Sequence, residues 1–362
     1  MILLSAGGTG GHIFPAAALA EDLKSRGFDV ALATDLRALK YKDSFSGVDV
    51  HVLNSSAWSG GLLAKLKGGV SMAIGYMQAR KLLTELKPEV VIGFGGYPSV
   101  PAVLAAQRKK IPTVIHEQNA ILGKANVFLA PRAERIALSH ENTLGLDNED
   151  KLRAVVTGNP VRKGISDLFT EPYPDIQQDG AFNIFVMGGS LGATILSKVV
   201  PEALAHLPEA YRTRIKIVQQ CRDEDKQRLQ DTYSAAGMQA EVSSFFHNVP
   251  EQLQKSHLVI ARAGASTVSE VSTAGRPAIY VPYPHHADEQ QRINAEAVAS
   301  KGGAWVMAES GFTAEALNAR LETFMQNPQA LFKAAEGAQS CAKPDAGRRL
   351  GNLIVALARG WD

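Results

Sequence analysis

Short apolar runs rich in β-branched residues alternate with helical patterns along the first half of the chain. A run that is apolar along its whole length is typical of a strand buried on both faces of a parallel sheet. Apolar residues keep near-helical spacing from Phe14 to Leu23, and Gly27 stands where that helix would end. The sequence therefore predicts an α/β domain with parallel strands at Ile2–Ser5, Val30–Ala33, Val48–Leu53, Val90–Gly93, Thr113–His116 and Arg135–Leu138.

The alternation restarts after a polar, proline-containing stretch at Thr170–Gly180, which we interpret as a linker or surface loop. A chain of 362 residues also exceeds the usual size of one hydrophobic core. We therefore expect a second α/β domain, with strands at Asn183–Met187, Ile215–Gln219, Leu258–Ala261 and Ala278–Val281. A last helix is predicted at Ala346–Leu357, where four apolar residues share one face that must pack against another element.

The charge, the cysteine content and the first residues of the sequence indicate the cellular compartment of the protein and the kinds of partner it could bind. The formal net charge of +2 does not favour a nucleic-acid partner. Cys221 and Cys341 are too few for a disulfide framework, and no signal peptide precedes the glycines that begin at Gly7, so we expect a cytoplasmic protein. Glycines and prolines interrupt the uncharged stretch Val90–Gln107, which predicts a strand, a loop and a helix start rather than a membrane span.

Three glycine-rich turns each follow a predicted strand. Gly7–His12 and Gly188–Ala193 precede helical segments, where free N–H groups and the helix dipole favour a phosphate or another anion. Gly93–Ser99 lies at the carboxyl end of the fourth strand, where open α/β sheets bind ligands. Each turn could instead be a packing feature. Thr34–Asp35 after the second strand also leaves a dinucleotide-binding dehydrogenase open, although Ile13 replaces a glycine of that fingerprint.

Together these motifs resemble the MurG family of bacterial peptidoglycan transferases, and the match covers nearly the whole chain in order. The matching segments are Gly7–Pro15, Gly95–Tyr97, His116–Asn119, Gly158–Arg162, the turn at Gly188, Arg262–Glu270, Pro282–His285 and Glu289–Ala295. The resemblance implies the GT-B architecture, in which two Rossmann-like doubly wound domains face a cleft and the C-terminal helix returns to the N-terminal domain. The implied domains are 1–161 with 343–362, facing acceptor and membrane, and 162–342, which binds UDP-GlcNAc.

The activity implied by this resemblance is inverting transfer of N-acetylglucosamine from UDP-GlcNAc to the C4 hydroxyl of undecaprenyl-diphosphate-linked N-acetylmuramoyl-pentapeptide (lipid I). This reaction forms lipid II in peptidoglycan biosynthesis. The implied partners are the nucleotide sugar, the lipid-linked acceptor and the cytoplasmic face of the bacterial inner membrane, to which the enzyme attaches peripherally. Cell-wall and division proteins are further partners by family, and neither a metal nor a cofactor is implied.

The resemblance also assigns substrate-binding residues in both domains. The segment ending at Glu270 and the pair Gln290 and Gln291 would surround the ribose and sugar of the donor, while Arg162 and Ser190 would lie near its uracil or diphosphate. Taken alone, Glu270 could equally form a surface ion pair with Arg262, and the two glutamines could be an exposed helix start. The implied substrate-binding set is Thr9, Gly10, Gly11, Asn119, Arg162, Ser190, Phe246, Ala265, Ser266, Thr267, Val268, Ser269, Glu270, Gln290 and Gln291, with Gly95, Gly96 and Tyr97 as the acceptor loop.

His12 is the candidate general base. UDP leaves readily once N–H dipoles and a cation meet its developing negative charge, so the remaining task is to deprotonate the acceptor hydroxyl near neutral pH. A histidine beside a glycine turn could instead only donate to a backbone carbonyl, and His116 and Glu117 are alternative bases. Asp223–Asp225 has the D-x-D form of some metal-dependent transferases, but its basic neighbours favour a surface helix.

A lipid-linked acceptor requires contact with a membrane surface. The segment from Trp58 to Tyr76 mixes bulky apolar side chains with Lys65 and Lys67, a composition that suits an interfacial helix. An ordinary amphipathic helix facing the core would have the same pattern, and the resemblance favours peripheral attachment.

Three other functions fit the predicted fold. A UDP-N-acetylglucosamine 2-epimerase could share both domains and the donor, although its own acid and base groups are not evident. A catalytically silent nucleotide-sugar binder and a transferase for another glycolipid are the remaining alternatives. Transfer of labelled sugar to a lipid fraction would separate the transferases from the other two.

Overall fold

In the computed structural model the chain forms two compact units, Met1–Arg162 with Lys343–Asp362, and Lys163–Ala342. The structure describes residues 1–56, 62–177, 179–189, 193–285 and 288–360, and it describes residues 62–66 by their backbone alone. Each unit is built around one parallel sheet.

The sheet of the first unit has seven parallel strands. They are β1 (Ile2–Ser5), β2 (Val30–Thr34), β3 (Asp49–Val52), β4 (Val90–Gly93), β5 (Thr113–Glu117), β6 (Arg135–Leu138) and β7 (Ala154–Val156). Their spatial order is β3-β2-β1-β4-β5-β6-β7, so strand addition changes direction between β1 and β4. The strands β1, β2, β4 and β5 are buried along their whole length, which explains their uninterrupted apolar sequences.

Helices cover both faces of this sheet. Those of the first unit's N-terminal segment are α1 (Gly10–Ser25), α2 (Leu62–Leu86), α3 (Val100–Arg108), α4 (Lys124–Leu129) and α5 (Asn148–Leu152). Leu4 of β1 packs with Leu19 of α1, whereas the next residue back, Leu3, packs with Leu83 of α2. Successive side chains of a strand point to opposite faces, so α1 and α2 cover opposite faces of the sheet.

The second unit contains a six-stranded parallel sheet in the order β10-β9-β8-β11-β12-β13, again with one change of direction. Its strands are β8 (Phe182–Met187), β9 (Ile215–Gln220), β10 (Gln239–Ser243), β11 (Leu258–Ala261), β12 (Ala278–Tyr280) and β13 (Ala304–Val306). Its helices are α6 (Lys163–Ser166), α7 (Thr194–Ala205), α8 (Glu209–Arg212), α9 (Lys226–Ala235), α10 (Val249–Lys255), α11 (Ala265–Thr273), α12 (Gln290–Ala299), α13 (Ala314–Gln326) and α14 (Gln329–Ser340).

The last helix, α15 (Ala346–Ala358), belongs to the first unit, which confirms the predicted return. Leu350 and Ile354 are fully buried in the same core cluster as α1. Gly351 permits this close approach, since an added Cβ would lie only 2.0 Å from Oδ2 of Asp22. Arg26, the C-cap of α1, donates to the Asn352 side chain at 2.6 Å across the same contact.

The strands that the sequence did not predict are β7, β10 and β13, and each lies at the edge of its sheet. An edge strand has less buried side-chain surface, so it lacks the continuous apolar pattern of a central one. The described residues 171–177 fall inside the second unit without helix or strand, and Tyr173 donates to the His257 carbonyl at 2.6 Å. Val90–Gln107 forms β4, a loop and most of α3, as predicted, and none of the described helices is long and apolar enough to cross a membrane.

Candidate active site

The order of the strands places the predicted glycine-rich turns. In an open parallel sheet, ligands bind beyond the carboxyl ends of the strands where strand order reverses. In the first unit this point lies between β1 and β4, so the turn at Gly7–His12 is adjacent to the loop that begins at Phe94. In the second unit it lies between β8 and β11, which brings the turn at Gly188 beside the loop before α11.

Side chains of the first unit hold the first turn in a defined shape. Gly8 has φ of +82°, and its N–H donates to Oδ1 of Asp35 at 2.9 Å. Arg37 pairs with the other oxygen of Asp35 at 2.7 Å. Asp35 is thus engaged by the protein itself, so the role that a dehydrogenase would give it, binding a cofactor ribose, is not supported. A Cβ at Gly7 would lie 2.7 Å from Pro98 Cβ, which shows how closely the two loops pack.

His12 lies at the third position of α1, against the predicted acceptor loop. A Cβ added at Gly95 would lie 3.5 Å from Cε1 of the imidazole, and one added at Gly96 would lie 3.2 Å from its Nε2. The Nδ1 atom is 3.3 Å from Oε1 of Gln118. Burial lowers the pKa of His12, while Glu117 and Gln118 partly oppose that shift. The imidazole is therefore neutral near pH 7, which is the form that can accept a proton.

His116 is committed to structural hydrogen bonds. It is fully buried at the end of β5, and its Nε2 donates to the Gly158 carbonyl at 3.0 Å. Burial lowers the pKa of His116 to about 4. A fully buried imidazole without access to substrate does not serve as the base, so this alternative to His12 is not supported.

Glu117 is also engaged on both carboxylate oxygens. Oε1 accepts from the backbone N–H and the side-chain amide of Asn119 at 2.9 and 3.1 Å. Oε2 accepts from the Gly123 N–H and from the Asn126 amide, both at 2.8 Å. Glu117 therefore fixes the loop that carries Asn119, and its oxygens are not directed at a reacting hydroxyl.

The acceptor loop has the backbone geometry that its glycines allow. Gly95 and Gly96 have φ of +80° and +67°, and a short 3-10 turn over Tyr97–Ser99 follows. The guanidinium of Arg37 lies 4.9 Å above the Tyr97 ring. Burial raises the pKa of Tyr97. The loop is thus tied to the first turn through Arg37 and Asp35.

The structure gathers the other predicted residues of the first unit around the same edge of the sheet. Thr9 precedes α1 as its N-cap, and Gly10 and Gly11 open that helix. Arg162 lies with its guanidinium 4.8 Å above the ring of Phe14, one helical turn beyond Gly10. Asn119 follows β5, two strands from β1.

In the second unit, the segment predicted to bind the donor forms the start of α11. Ala265 and Val268 are buried, while Ser266, Thr267 and Ser269 are partly exposed. An added Cβ at Gly264, the N-cap, would have no atom within 4 Å. The first-turn N–H groups of a helix carry partial positive charge, so this open end suits a diphosphate. Glu270 is only 5% exposed, so a surface ion pair for it is wrong.

Gln291 and Arg262 shape the loops beside α11. Oε1 of Gln291 accepts from the N–H groups of Ala263 and Tyr283 at 3.2 and 3.0 Å. Arg262 pairs with Glu309 at 2.5 Å and donates to the carbonyls of residues 281 and 282. Gln290 opens α12, as a helix start would, but both glutamines are partly buried.

Phe246 and Ser190 are the remaining residues predicted to contact the donor. Phe246 is 6% exposed and packs edge-on against Phe185 at 5.8 Å, so its side chain belongs to the core and any donor contact there would come from its backbone. Ser190 lies outside the described residues, although Gly189 beside it has φ of +76°.

Asp223–Asp225 forms a 3-10 turn before α9. Asp225 pairs with Arg228 at 2.5 Å and Glu224 pairs with Arg222 at 3.4 Å. Its carboxylates are partly neutralised by these arginines. Over the described ranges of the chain, no group of three or more metal-binding side chains gathers.

Sequence reasoning overlooked the contacts of Gln118 and Glu309. Gln118 stands within a motif that was recognised, but no pattern tells which way the side chain after a strand points. Glu309 is 47 residues beyond Arg262, and only the fold brings the two together.

The chain has two parallel doubly wound sheets, a glycine-rich sequence after the first strand of each sheet and a C-terminal helix that returns to the first unit. These features define the GT-B class of transferase folds. Two family models match this chain: the glycosyltransferase family 28 N-terminal domain at residues 2–138 and the glycosyltransferase family 28 C-terminal domain at residues 183–350. The chain belongs to glycosyltransferase family 28, and its predicted fold class is confirmed.

Named relatives support the same assignment. A protein of Rhodospirillum centenum named UDP-N-acetylglucosamine--N-acetylmuramyl-(pentapeptide) pyrophosphoryl-undecaprenol N-acetylglucosamine transferase is 50% identical over 357 residues, which cover 99% of this chain and 94% of that protein. The crystal structure of Acinetobacter baumannii MurG superposes with a TM-score of 0.77 at 30% identity, covering 98% of both chains. A Listeria monocytogenes structure described as a UDP-N-acetylglucosamine 2-epimerase reaches 0.70 at 14% identity, covering 98% of this chain and 95% of that one, and shares the fold alone.

Proposed function

We propose that this chain transfers N-acetylglucosamine from UDP-GlcNAc to the C4 hydroxyl of undecaprenyl-diphosphate-linked N-acetylmuramoyl-pentapeptide, the step that converts lipid I into lipid II. The observation that carries this proposal is 50% identity over 99% of the chain to a protein named for that transfer. The 2-epimerase structures share only 13–15% identity, so they do not favour the isomerase alternative.

His12 is the proposed base for the acceptor. Its Nε2 would take the proton of the C4 hydroxyl while the oxygen attacks the anomeric carbon from the side opposite UDP. The bond from the anomeric carbon to the diphosphate oxygen breaks in the same displacement, so the configuration inverts. Two features support this role: the lowered pKa keeps the imidazole neutral, and its Nε2 lies against Gly96 of the predicted acceptor loop, where an added Cβ would come within 3.2 Å.

The second unit is proposed to hold the donor. The N–H groups at the start of α11 would receive the diphosphate, and the turn at Gly188–Gly189 would offer further backbone donors. Glu270 would accept hydrogen bonds from the ribose hydroxyls, and Gln290 and the free amide protons of Gln291 would contact the sugar. Arg162 would supply positive charge as UDP leaves. These dipoles are already in place before the reaction, which is what electrostatic stabilisation of a leaving diphosphate requires.

Peripheral attachment to the cytoplasmic face of the inner membrane is proposed through α2. Val70, Ile74 and Met77 are exposed by 58%, 45% and 61%, and their spacing places them along one side of the helix. The exposed Lys67 and Arg80 lie near the two ends of this row. An apolar stripe flanked by cations suits an anionic bilayer surface. Of the earlier residues proposed for this contact, Trp58 lies outside the described part, and only the backbone of Leu62–Leu66 is described.

The decisive experiment is transfer of labelled N-acetylglucosamine from UDP-GlcNAc to a short-chain lipid-diphosphate muramoyl-pentapeptide, with EDTA present. Wild-type protein is expected to form the disaccharide lipid, and His12→Ala and Glu270→Ala are expected to lose most of this activity. Release of a changed free nucleotide sugar would instead support an epimerase. Tight UDP-GlcNAc binding by folded wild type without any lipid product would overturn the acceptor assignment.

A further inference from the structure

Four polar groups form a continuous hydrogen-bonded chain behind His12. Its Nδ1 lies 3.3 Å from Oε1 of Gln118. Nε2 of Gln118 lies 2.9 Å from the Phe94 carbonyl and 3.0 Å from Nδ1 of His116. Nε2 of His116 lies 3.0 Å from the Gly158 carbonyl. His116 and Gln118 are 0% and 2% exposed, so water does not compete freely for these contacts.

The backbone carbonyls of Phe94 and Gly158 determine which ring and amide atoms of His12, Gln118 and His116 carry protons in these hydrogen bonds. A carbonyl only accepts, so the Gln118 atom facing the Phe94 carbonyl must be the amide nitrogen. The other amide atom, which faces His12, is then the oxygen and also only accepts. His12 must therefore carry its proton on Nδ1. The Gly158 carbonyl likewise places the His116 proton on Nε2, which leaves Nδ1 of His116 free to accept from Gln118.

We propose that Gln118 is a positioning residue that holds neutral His12 in the Nδ1–H tautomer, so that the lone pair of Nε2 is available to the substrate. This proposal rests on the proposed function, since it explains how His12 would act as a base. The tautomer of a histidine is set by the hydrogen bond made by its other nitrogen. A neutral histidine without such a partner favours Nε2–H, and that nitrogen cannot accept a proton.

The geometry on the other side of the ring agrees with this assignment. Nε2 of His12 faces Gly96, a residue without a side chain, and a Cβ added there would lie only 3.2 Å from the nitrogen. The Glu117 carboxylate next to Gln118 is held by four hydrogen bonds of its own, so it does not replace Gln118 as the partner of His12. Gln118 is thus the side chain that links buried His116 to His12, and the Phe94 carbonyl lies beside both Gln118 and His12.

The first test reads the tautomer directly and needs no substrate. In protein with ¹⁵N-labelled histidine, the two-bond ¹H–¹⁵N couplings of the ring distinguish Nδ1–H from Nε2–H, and His12→Gln identifies the His12 signals. Wild-type His12 is expected to be Nδ1–H. In Gln118→Leu it is expected to shift to mostly Nε2–H, while His206, whose Nδ1 contacts the Glu202 carbonyl at 2.7 Å, stays unchanged. An Nε2–H tautomer for His12 in the wild type would overturn the proposal.

The second test measures the effect on catalysis. General base catalysis contributes about 10²- to 10⁴-fold, so Gln118→Leu is expected to lower kcat by about 10- to 100-fold while KM for UDP-GlcNAc changes less than about 2-fold. Gln118→Glu keeps an acceptor for Nδ1–H. It is therefore expected to retain the wild-type tautomer and to move the acid limb of the pH profile to higher pH, because its charge favours the imidazolium.

Gln107→Leu is the matched control, since Gln107 also donates to a buried carbonyl of the first unit, that of Leu129, at 2.9 Å. It is expected to lower the melting temperature as Gln118→Leu does, but to leave kcat and the His12 tautomer unchanged. Equal loss of kcat in both glutamine variants would reduce Gln118 to a structural role. If Gln118→Leu does not fold, the wild-type tautomer and the Gln118→Glu pH profile still test whether Gln118 positions His12. If wild type shows no transfer at all, the proposed function fails while the tautomer test remains valid.

Discussion

A methyl group added at Gly96 would lie 3.2 Å from Nε2 of His12, closer than an ordinary van der Waals contact. Gly96 also has φ of +67°, so alanine there is strained as well as crowded. We expect Gly96→Ala to displace the imidazole and to lower kcat/KM for transfer by about 10²-fold. Gly237→Ala is the control, because Gly237 has φ of +68° but no atom within 4 Å of an added Cβ. It should reduce stability without reducing transfer, and equal activity in the two variants would contradict a role for this contact.

The pH dependence of transfer should report the pKa of His12. Burial lowers that pKa below the ordinary value of 6.5, and only the neutral imidazole can accept a proton. Activity should therefore persist below pH 6.5 and be lost as pH falls through the lowered pKa. His12→Ala is expected to reduce kcat/KM by about 10²- to 10⁴-fold and to abolish this limb. A wild-type acid limb with its midpoint above 6.5, or one that survives in His12→Ala, would assign the base to another group.

Glu117 is predicted to matter for folding rather than for proton transfer. Each of its oxygens accepts two hydrogen bonds, and Glu117→Gln would direct an N–H₂ group at donors that now meet an oxygen. Leaving buried donors unsatisfied costs about 1–3 kcal/mol, so a clear fall in the melting temperature is expected. Glu134→Gln, whose side chain is 53% exposed, should change it little. The two variants would be compared by circular dichroism at increasing temperature, and equal stability would contradict the packing argument.

The central strands could be predicted from sequence because burial on both faces leaves a continuous apolar run, as in Ile2–Ser5 and Leu258–Ala261. The edge strand β10 could not, since Gln239 and Glu241 face solvent and give it a polar appearance. The turn before His12 was recognisable from its glycines. What Gln118 does depends on the Phe94 carbonyl and on His116, and these are brought together only when β4 and β5 pair. Side-chain direction after a strand is thus a property of the sheet, not of the local sequence.

Glu270 is predicted to bind the donor. It is 5% exposed within α11, and a carboxylate that accepts ribose hydroxyl hydrogen bonds gains about 1.5–3 kcal/mol from each. Glu270→Gln should raise the Kd for UDP-GlcNAc by about 10- to 100-fold, as measured by calorimetry. Glu241→Gln serves as control, because Glu241 is exposed on β10 of the same unit. An unchanged Kd in folded Glu270→Gln would remove this residue from the donor site.

The exposed stripe on α2 should contact lipid. Ile74 and Met77 are 45% and 61% exposed, and burying a large apolar side chain in a bilayer surface contributes about 1.5–3 kcal/mol. Ile74→Glu combined with Met77→Glu should therefore lower partitioning onto phosphatidylglycerol-containing vesicles by at least about 10-fold in a sedimentation assay. Leu152→Glu is the control, since Leu152 is 87% exposed at the end of a different helix, α5. Transfer to a short-chain, water-soluble acceptor should be unchanged in both variants, because none of the three residues belongs to the proposed catalytic machinery. Vesicle binding that falls equally in the α2 and α5 variants would point to a general effect of added negative charge, and α2 would no longer be the contact surface.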